Sequence, residues 1–282
     1  MFERILVPVD GSTDSWVALE QAILIAHEGE HEIYGLFVVD IRLIEAPYIT
    51  SLYSDNFTPS INPAAVEMSI EVSQRLEARA QTVLTQLKDR CTDAGIRVQA
   101  EKVDGLSSQI ILARAQEADL IVMGRRGEGA RWAGPLLGST FEAVVRHVPI
   151  PVIATQAEIR PTTRILVAYD GSEISRGGLA IAKEMAVERG LSIVLLTVDD
   201  GHPGRKEAHE FGRVFLLDQE LNVKPLFYKG HPAEEILDVA RTEGCDLIIL
   251  GAYGHSRFLE IFFGSSVDEV IHEATCPLLI CR

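Results

Sequence analysis

Positive charge, paired cysteines and long apolar runs are all scarce in this chain. Its 282 residues hold 26 Lys and Arg against 41 Asp and Glu, a net charge of −15. The acidic excess is shared, with 13 basic against 21 acidic residues in 1–157 and 13 against 20 in 158–282. Neither half carries the basic field that general nucleic-acid or anionic-membrane binding needs, so neither partner is expected. A phosphate held locally by backbone N–H groups is not excluded by net charge. The four cysteines, Cys91, Cys245, Cys276 and Cys281, form no C-x-x-C pair. Apolar runs stop far short of the ~18–20 residues a membrane helix requires. The opening MFERILVPVD reads as a strand rather than a leader. Together these features predict a cytoplasmic protein with reduced thiols.

Several catalytic and nucleotide signatures are missing too. There is no G-x-x-x-x-G-K-[ST] loop, and the first strand is followed by DGS rather than G-x-G-x-x-G. No Ser-His-Asp set and no G-x-S-x-G elbow can be read. The eight histidines are scattered. His202 and His209 with Glu207 between them read as a polar loop before a metal site, and Asp199-Asp200 as a solvated turn before a cation site. His231 reads as a helix cap, His255 as a neighbour of a phosphate loop, and Cys276 and Cys281 as packing residues of the last strand. No metal ligand is therefore assigned.

What is present is a repeat. RILVPVDGSTDSWVALEQAILIA (residues 4–26) lies over RILVAYDGSEISRGGLAIAKEMA (164–186) at an offset of 160 residues. IYGLFVVD then meets SIVLLTVD, DLIVMGRRG…GST meets DLIILGAYG…GSS, and HVPIPVIAT meets EATCPLLICR. A period this long means two domains rather than a solenoid. We place them at residues 1–157 and 158–282, with the linker in 156–164 around Pro161. Short runs rich in Ile, Val and Leu alternate with helical patterns, giving β-α-β-α-β-α-β-α-β in each half. Continuously apolar strands indicate burial on both faces. The fold class is α/β: two tandem, doubly wound, five-stranded parallel sheets of Rossmann-like type. A long helix ends at Gly95. After FVVD the first half makes a longer excursion, with three prolines, that reads as a surface loop, a lid or a dimer contact. The last strands, PVIAT and PLLICR, are apolar edges that need covering, so the halves are expected to join there as an intrachain pseudo-dimer. Two chains could associate further.

The glycine segments begin at strand carboxyl ends, where open α/β sheets bind ligands. Gly124 and Gly127, like Gly251 and Gly254, let the backbone approach closely and turn N–H groups to one point. Gly138-Ser139-Thr140 and Gly264-Ser265-Ser266 open helices whose first N–H groups lack intrahelical partners and whose dipole favours an anion. Tight turns and helix caps would use the same residues, so the structural reading stays open beside the phosphate one.

These motifs resemble the universal stress protein (UspA) family, over nearly the whole chain: ILVPVDGS and ILVAYDGS at the first strands, the two glycine segments, then VPIPVI and TCPLLI. The ATP-binding branch of that family carries G-x2-G-x9-G-[ST]. Gly251, Gly254, Gly264 and Ser265 fit it, whereas the first copy has ten residues between Gly127 and Gly138. The resemblance implies ATP, with Mg²⁺, as cofactor. It also implies that Asp10 and Asp170 meet the ribose and that Val38 and Val198, near the ends of the second strands, offer backbone to adenine. Pro8 and Val9, Ala168 and Tyr169, Met123 and Leu250 complete the expected site as strand-end neighbours. Arg125 and Arg126 could reach phosphate oxygens or remain solvated loop charge. Their counterparts are Ala252 and Tyr253, so phosphate binding in the second half would rest on backbone, Ser265 and Ser266.

Three functions compete. The first is a regulatory ATP-binding protein of the stress response, with at most slow hydrolysis or autophosphorylation on Ser139, Thr140, Ser265 or Ser266. The second is an adenylating enzyme of the same architecture, for which no acceptor pocket is legible. The third is a nucleotide-free scaffold, as in the family branch that lacks the glycine motif.

Overall fold

The computed structural model describes residues 2–27, 31–52, 63–127, 137–156, 159–217, 221–252 and 265–282. The first half runs β1 Arg4–Pro8, α1 Thr13–His27, β2 Glu32–Asp40, α2 Ile41–Leu52, α3 Pro63–Asp93, β3 Arg97–Gly105, α4 Ser107–Arg114, β4 Leu120–Gly124, α5 Ser139–His147 and β5 Val152–Thr155. The second runs β6 Arg164–Ala168, α6 Glu173–Arg189, β7 Ser192–Asp199, α7 Arg205–Leu216, β8 Val223–Lys229, α8 Pro232–Thr242, β9 Leu247–Gly251, α9 Ser265–Glu273 and β10 Leu278–Cys281.

All ten strands join one sheet in the order β3-β2-β1-β4-β5-β10-β9-β6-β7-β8. Within each half the pairing is parallel. β5 and β10 pair antiparallel across the middle, with Leu278, Leu279 and Ile280 opposite Ala154, Ile153 and Val152. Each half would otherwise end in a bare apolar edge, and the pairing removes both edges at once.

The apolar strands divide their side chains between two cores. Ile5, Val7, Ile165 and Val167 face a layer containing α1, α3, α6 and α7. Leu6 and Leu166 face the opposite layer of α4, α5, α8 and α9. Burial on both faces is why these strands show no polar alternation. The first strand of each half is also tied at its start. Asp119, just before β4, accepts the Arg4 N–H at 2.9 Å, and Asp246, just before β9, accepts the Arg164 N–H at 3.1 Å.

α3 ends as its sequence indicates. Gly95, at φ +73°, donates to Thr92 O, and Ile96 donates to Cys91 O, the paired bonds of a Schellman stop. The excursion after β2 differs from the surface loop expected, because it opens directly as helix α2. The Asp40 carboxylate accepts the Arg42 N–H at 3.0 Å, capping the new helix, and the Arg42 guanidinium closes on the same carboxylate. Ile44 packs onto the core. The prolines suggested a loop, whereas a capping Asp and one packed Ile suffice for a helix. Residues 53–62 of the excursion lie outside the described residues.

Candidate functional site

The switch point of the first half lies between β1 and β4, whose neighbours diverge to β2 and β5. Asp10 stands just beyond β1. Its Oδ1 accepts the Ser12 N–H at 2.9 Å, an Asx turn, while Ser12 Oγ accepts the Ser15 N–H at 3.2 Å. The turn leads the chain into α1 and leaves Oδ2 toward the glycine loop. A Cβ on Gly127 would lie 2.9 Å from that Oδ2, so any larger residue would have to push the carboxylate aside. Gly124 is equally constrained, since a Cβ there would lie 2.7 Å from Asp14 Cβ in the first turn of α1.

The two glycine clusters meet. The Gly138 N–H donates to Arg125 O at 2.9 Å, and a Cβ on Gly138 would sit 3.3 Å from that oxygen. Gly138 is the N-cap of α5 and makes no side-chain cap, so the hydroxyls of Ser139 and Thr140 open the helix without serving that role. Residues 128–136 between the clusters, and the extra residue there, lie outside the described residues.

Arg125 and Arg126 part company. Arg126 is exposed beside Gly127. Arg125 is only 7% exposed and turns across the junction into the second half. Its Nη1 donates to Ile271 O at 2.5 Å and its Nη2 to Cys276 O at 3.3 Å. Its side chain is thus occupied away from the loop mouth, and only Arg126 keeps an exposed guanidinium for a phosphate. Burial lowers the Arg125 pKa to about 10, which leaves it charged at neutral pH.

The second half repeats the turn and adds a charge. Asp170 Oδ1 accepts the Ser172 N–H at 3.0 Å, and Ser172 caps α6 by accepting from Ser175 at 3.2 Å. Gly251 again lies against the facing helix, with a Cβ position 3.2 Å from the Ser175 nitrogen. Ser265 and Ser266 open α9. Gly254, Gly264, Tyr253 and His255 lie outside the described residues.

Two arginines that the motifs did not indicate hold these turns from behind. Arg79 of α3 donates to Asp10 O at 2.6 Å, and Arg205 of α7 donates to Asp170 O at 2.7 Å. Arg205 lies 126 positions after Arg79, the same offset that separates Gly138 from Gly264. The 160-residue offset of the opening strands hides the pair, because the excursion intervenes. The late motifs are offset by 126 or 127 positions, so carrying them back narrows the partner of Arg79 to Arg205 or Lys206. Arg205 also grips Asp200 through two bonds of 3.0 and 2.9 Å and approaches Asp170 Oδ2 at 3.5 Å. The Arg205 bonds hold the Asp200 carboxyl far below the usual range. Burial pushes Asp170 up, but bonds from Ser172 and Ser175 and the Arg205 charge outweigh it and leave it lowered.

The remaining predicted residues contribute mainly backbone. Val9, Met123, Tyr169 and Leu250 have side chains buried in the cores. The Val9 and Tyr169 N–H groups bond Leu36 O and Leu196 O, both at 2.8 Å. Pro8 and Ala168 end β1 and β6 half-buried. Val38 and Val198 precede the last residues of β2 and β7, which run on to Asp40 and Asp199.

The side constellations resolve into ordinary contacts. His209 is half-buried, with Nδ1 3.2 Å from Thr197 Oγ1 and its ring edge-on to Phe227. His202 lies 3.1 Å from Asp200. His231 is the N-cap residue of α8, but its side chain makes no cap. It lies 3.8 Å from Glu269 instead. Among the described residues no group of three His, Cys, Asp or Glu could hold a metal. All four cysteines are free thiols. Among the described residues, no helix is long and apolar enough to cross a membrane.

Comparison with known proteins agrees with the duplication. The model of the universal stress protein family matches twice, over residues 1–156 and 161–282. A universal stress protein of Synechocystis is 27% identical over 99% of this chain and 100% of its own length. One from Mycobacterium tuberculosis is 28% identical over 99% of this chain and 94% of its own. The crystal structure of a universal stress protein from Archaeoglobus fulgidus superposes with a TM-score of 0.76 at 22% identity, covering 99% of this chain and 98% of that one. At that identity the likeness speaks to the fold. The chain belongs to the universal stress protein family, with one family domain in each half.

Proposed function

We propose that the protein binds ATP with Mg²⁺ at the carboxyl ends of its parallel strands and acts by nucleotide-dependent regulation in the cytoplasmic stress response. The observation that carries this reading is the junction of Gly138 with Arg125 O beside the Asp10 carboxylate. It gathers a glycine-lined backbone, a helix N-terminus and an acidic group within one crevice. Glycine keeps that space open, since a Cβ on Gly127 would press on Asp10 Oδ2 and one on Gly138 would crowd Arg125 O. In this reading the first N–H groups of α5 and the loop backbone hold the phosphates, Arg126 adds charge, and Asp10 Oδ2 accepts ribose hydroxyls. The second domain uses Asp170, the backbone from Gly251, and Ser265-Ser266 in the same roles. A handful of charge-assisted bonds, offset by ordering, corresponds to micromolar affinity, about −8 kcal/mol.

A thermal-shift titration tests it. Mg-ATP at a hundredfold excess over a micromolar Kd stabilises the folded state by about 2.7 kcal/mol, a rise of several degrees in Tm. GTP at the same concentration should give a smaller rise. No shift with either nucleotide would remove the reading in favour of a nucleotide-free scaffold.

A further inference from the structure

Arg125 lies inside the first glycine loop, yet its guanidinium belongs to the second domain. It sits at the carboxyl end of α9, bonding Ile271 O at 2.5 Å, Ala274 O at 3.4 Å and Cys276 O at 3.3 Å. Gln156, at the end of β5, donates to Ala274 O as well. The last carbonyls of a helix have no intrahelical donors, and its dipole places negative potential there, so a buried guanidinium is a fitting cap. The Arg125 Nε is buried with no partner among the described residues. A charge would not be buried at that cost for solubility. Its backbone oxygen meanwhile accepts the Gly138 N–H that joins the two glycine clusters. One residue therefore grips α9 with its side chain and closes the first site with its backbone.

The second half has no cation at the position that matches Arg125. Ala252 stands at the matching position, fully buried, with its N–H bonded to Cys281 O at 2.8 Å. In the reverse direction Arg282 reaches across to Arg146 O near the end of α5, and it stands outside the glycine loop. Among the described residues, the linkage that starts inside a glycine loop runs from the first half to the second.

We propose that Arg125 is a positioning residue that makes the geometry of the first site depend on α9, and through α9 on whether the second site is filled. The inference rests on the nucleotide-binding reading for its ligand, and on geometry alone for the linkage. α9 has Ser265-Ser266 at one end and Arg125 at the other. A phosphate at its N-terminus and a guanidinium at its C-terminus both favour the ordered helix dipole. The coupling is therefore positive: filling the second site holds α9, α9 holds Arg125, and Arg125 O holds Gly138. Coupling of this kind is typically about fivefold or more in affinity.

Two measurements on the full chain test the inference. The first is hydrogen exchange in ligand-free wild type, Arg125→Ala and Arg125→Lys. Arg125→Ala should speed exchange about tenfold at both Gly138 and Ile271–Ala274, and Arg125→Lys should restore part of the protection. Unchanged rates, or faster exchange in α9 with Gly138 unaffected, would overturn the positioning role. The second is Mg-ATP calorimetry with the second site blocked by Gly264→Val. First-site affinity should fall about fivefold relative to wild type, and the fall should vanish in the Arg125→Ala background. Equal first-site affinity with and without Gly264→Val would overturn the coupling. A wild type that binds no ATP at all would remove the nucleotide reading and the coupling with it, while the exchange result still decides whether Arg125 positions the loop.

Discussion

The first and second switch points share a backbone and differ in charge. Both have an Asx turn on Asp10 or Asp170, a serine cap one turn on, and a helix arginine on the Asp carbonyl. They diverge at the next carboxylate. Asp200 takes Arg205, drawing that guanidinium to within 3.5 Å of the Asp170 carboxylate. Asp40, 160 positions earlier, closes instead on Arg42 of the inserted α2. The insertion thus redirects one ion pair without touching the sheet. The first site gains an exposed Arg126 and loses a side chain to the junction, while the second carries Ala252 and a buried Arg205. Duplication has preserved what the backbone needs and varied what the charges do.

Six substitutions, in three matched pairs, sharpen or break this contrast. The largest effects belong to the shared frame. Ile153 and Leu279 face each other across the β5–β10 junction with almost no exposure. Ile153→Ala and Leu279→Ala should each cost about 2–5 kcal/mol and nearly the same amount. A urea midpoint that falls for one and not the other would break the symmetry.

Next comes the arginine pair. Arg205→Ala strips Asp200 of its guanidinium, leaving it His202, and Asp170 O of a donor, and should cost about 2–3 kcal/mol. Arg79→Ala should cost nearer 1 kcal/mol. Equal losses in chemical denaturation would erase the charge difference between the halves.

The pH dependence follows from the sign of the Asp200 shift. Its folded pKa is depressed, so the stability it confers is present above the unfolded carboxylate range, near pH 4, and is lost as pH falls through the folded value. Wild type and Arg205→Ala should therefore differ most at pH 6–7, and the gap should begin to narrow below about pH 4 and close only well below pH 3. A gap that widens in acid would contradict the assignment. The smallest effect should be the caps. Ser12→Ala and Ser172→Ala should each cost about 1 kcal/mol, equal within a few tenths. Unequal losses would show that the two turns are less alike than their bonds.

The strands were legible because burial on both faces writes unbroken apolar runs, and the repeat showed the same succession of elements in both halves, whereas their order across the sheet needed the structure. Gly95 was legible because its left-handed turn ends a helix by a local rule. The site's glycines were legible as a spacing, although the reason for Gly127, contact with Asp10 Oδ2, needs the fold. Arg125 is the clearest limit. Beside the glycines it reads as a phosphate ligand, and only the β5–β10 junction brings α9 within its reach. Arg79 and Arg205 carry no local motif, since their targets are backbone oxygens distant in sequence. Helix α2 was hidden by prolines that counted against a helix, while its capping Asp40 read as the end of a strand.

The most direct test of the central claim is the stoichiometry of Mg-ATP binding by calorimetry in wild type, Gly138→Val and Gly264→Val. Gly138 has an ordinary φ of −71°, so valine there acts by crowding Arg125 O rather than by straining the backbone. The account predicts two micromolar sites in wild type and the loss of one in each variant, with both variants folded. No binding by folded wild type, or two sites surviving Gly138→Val, would contradict it.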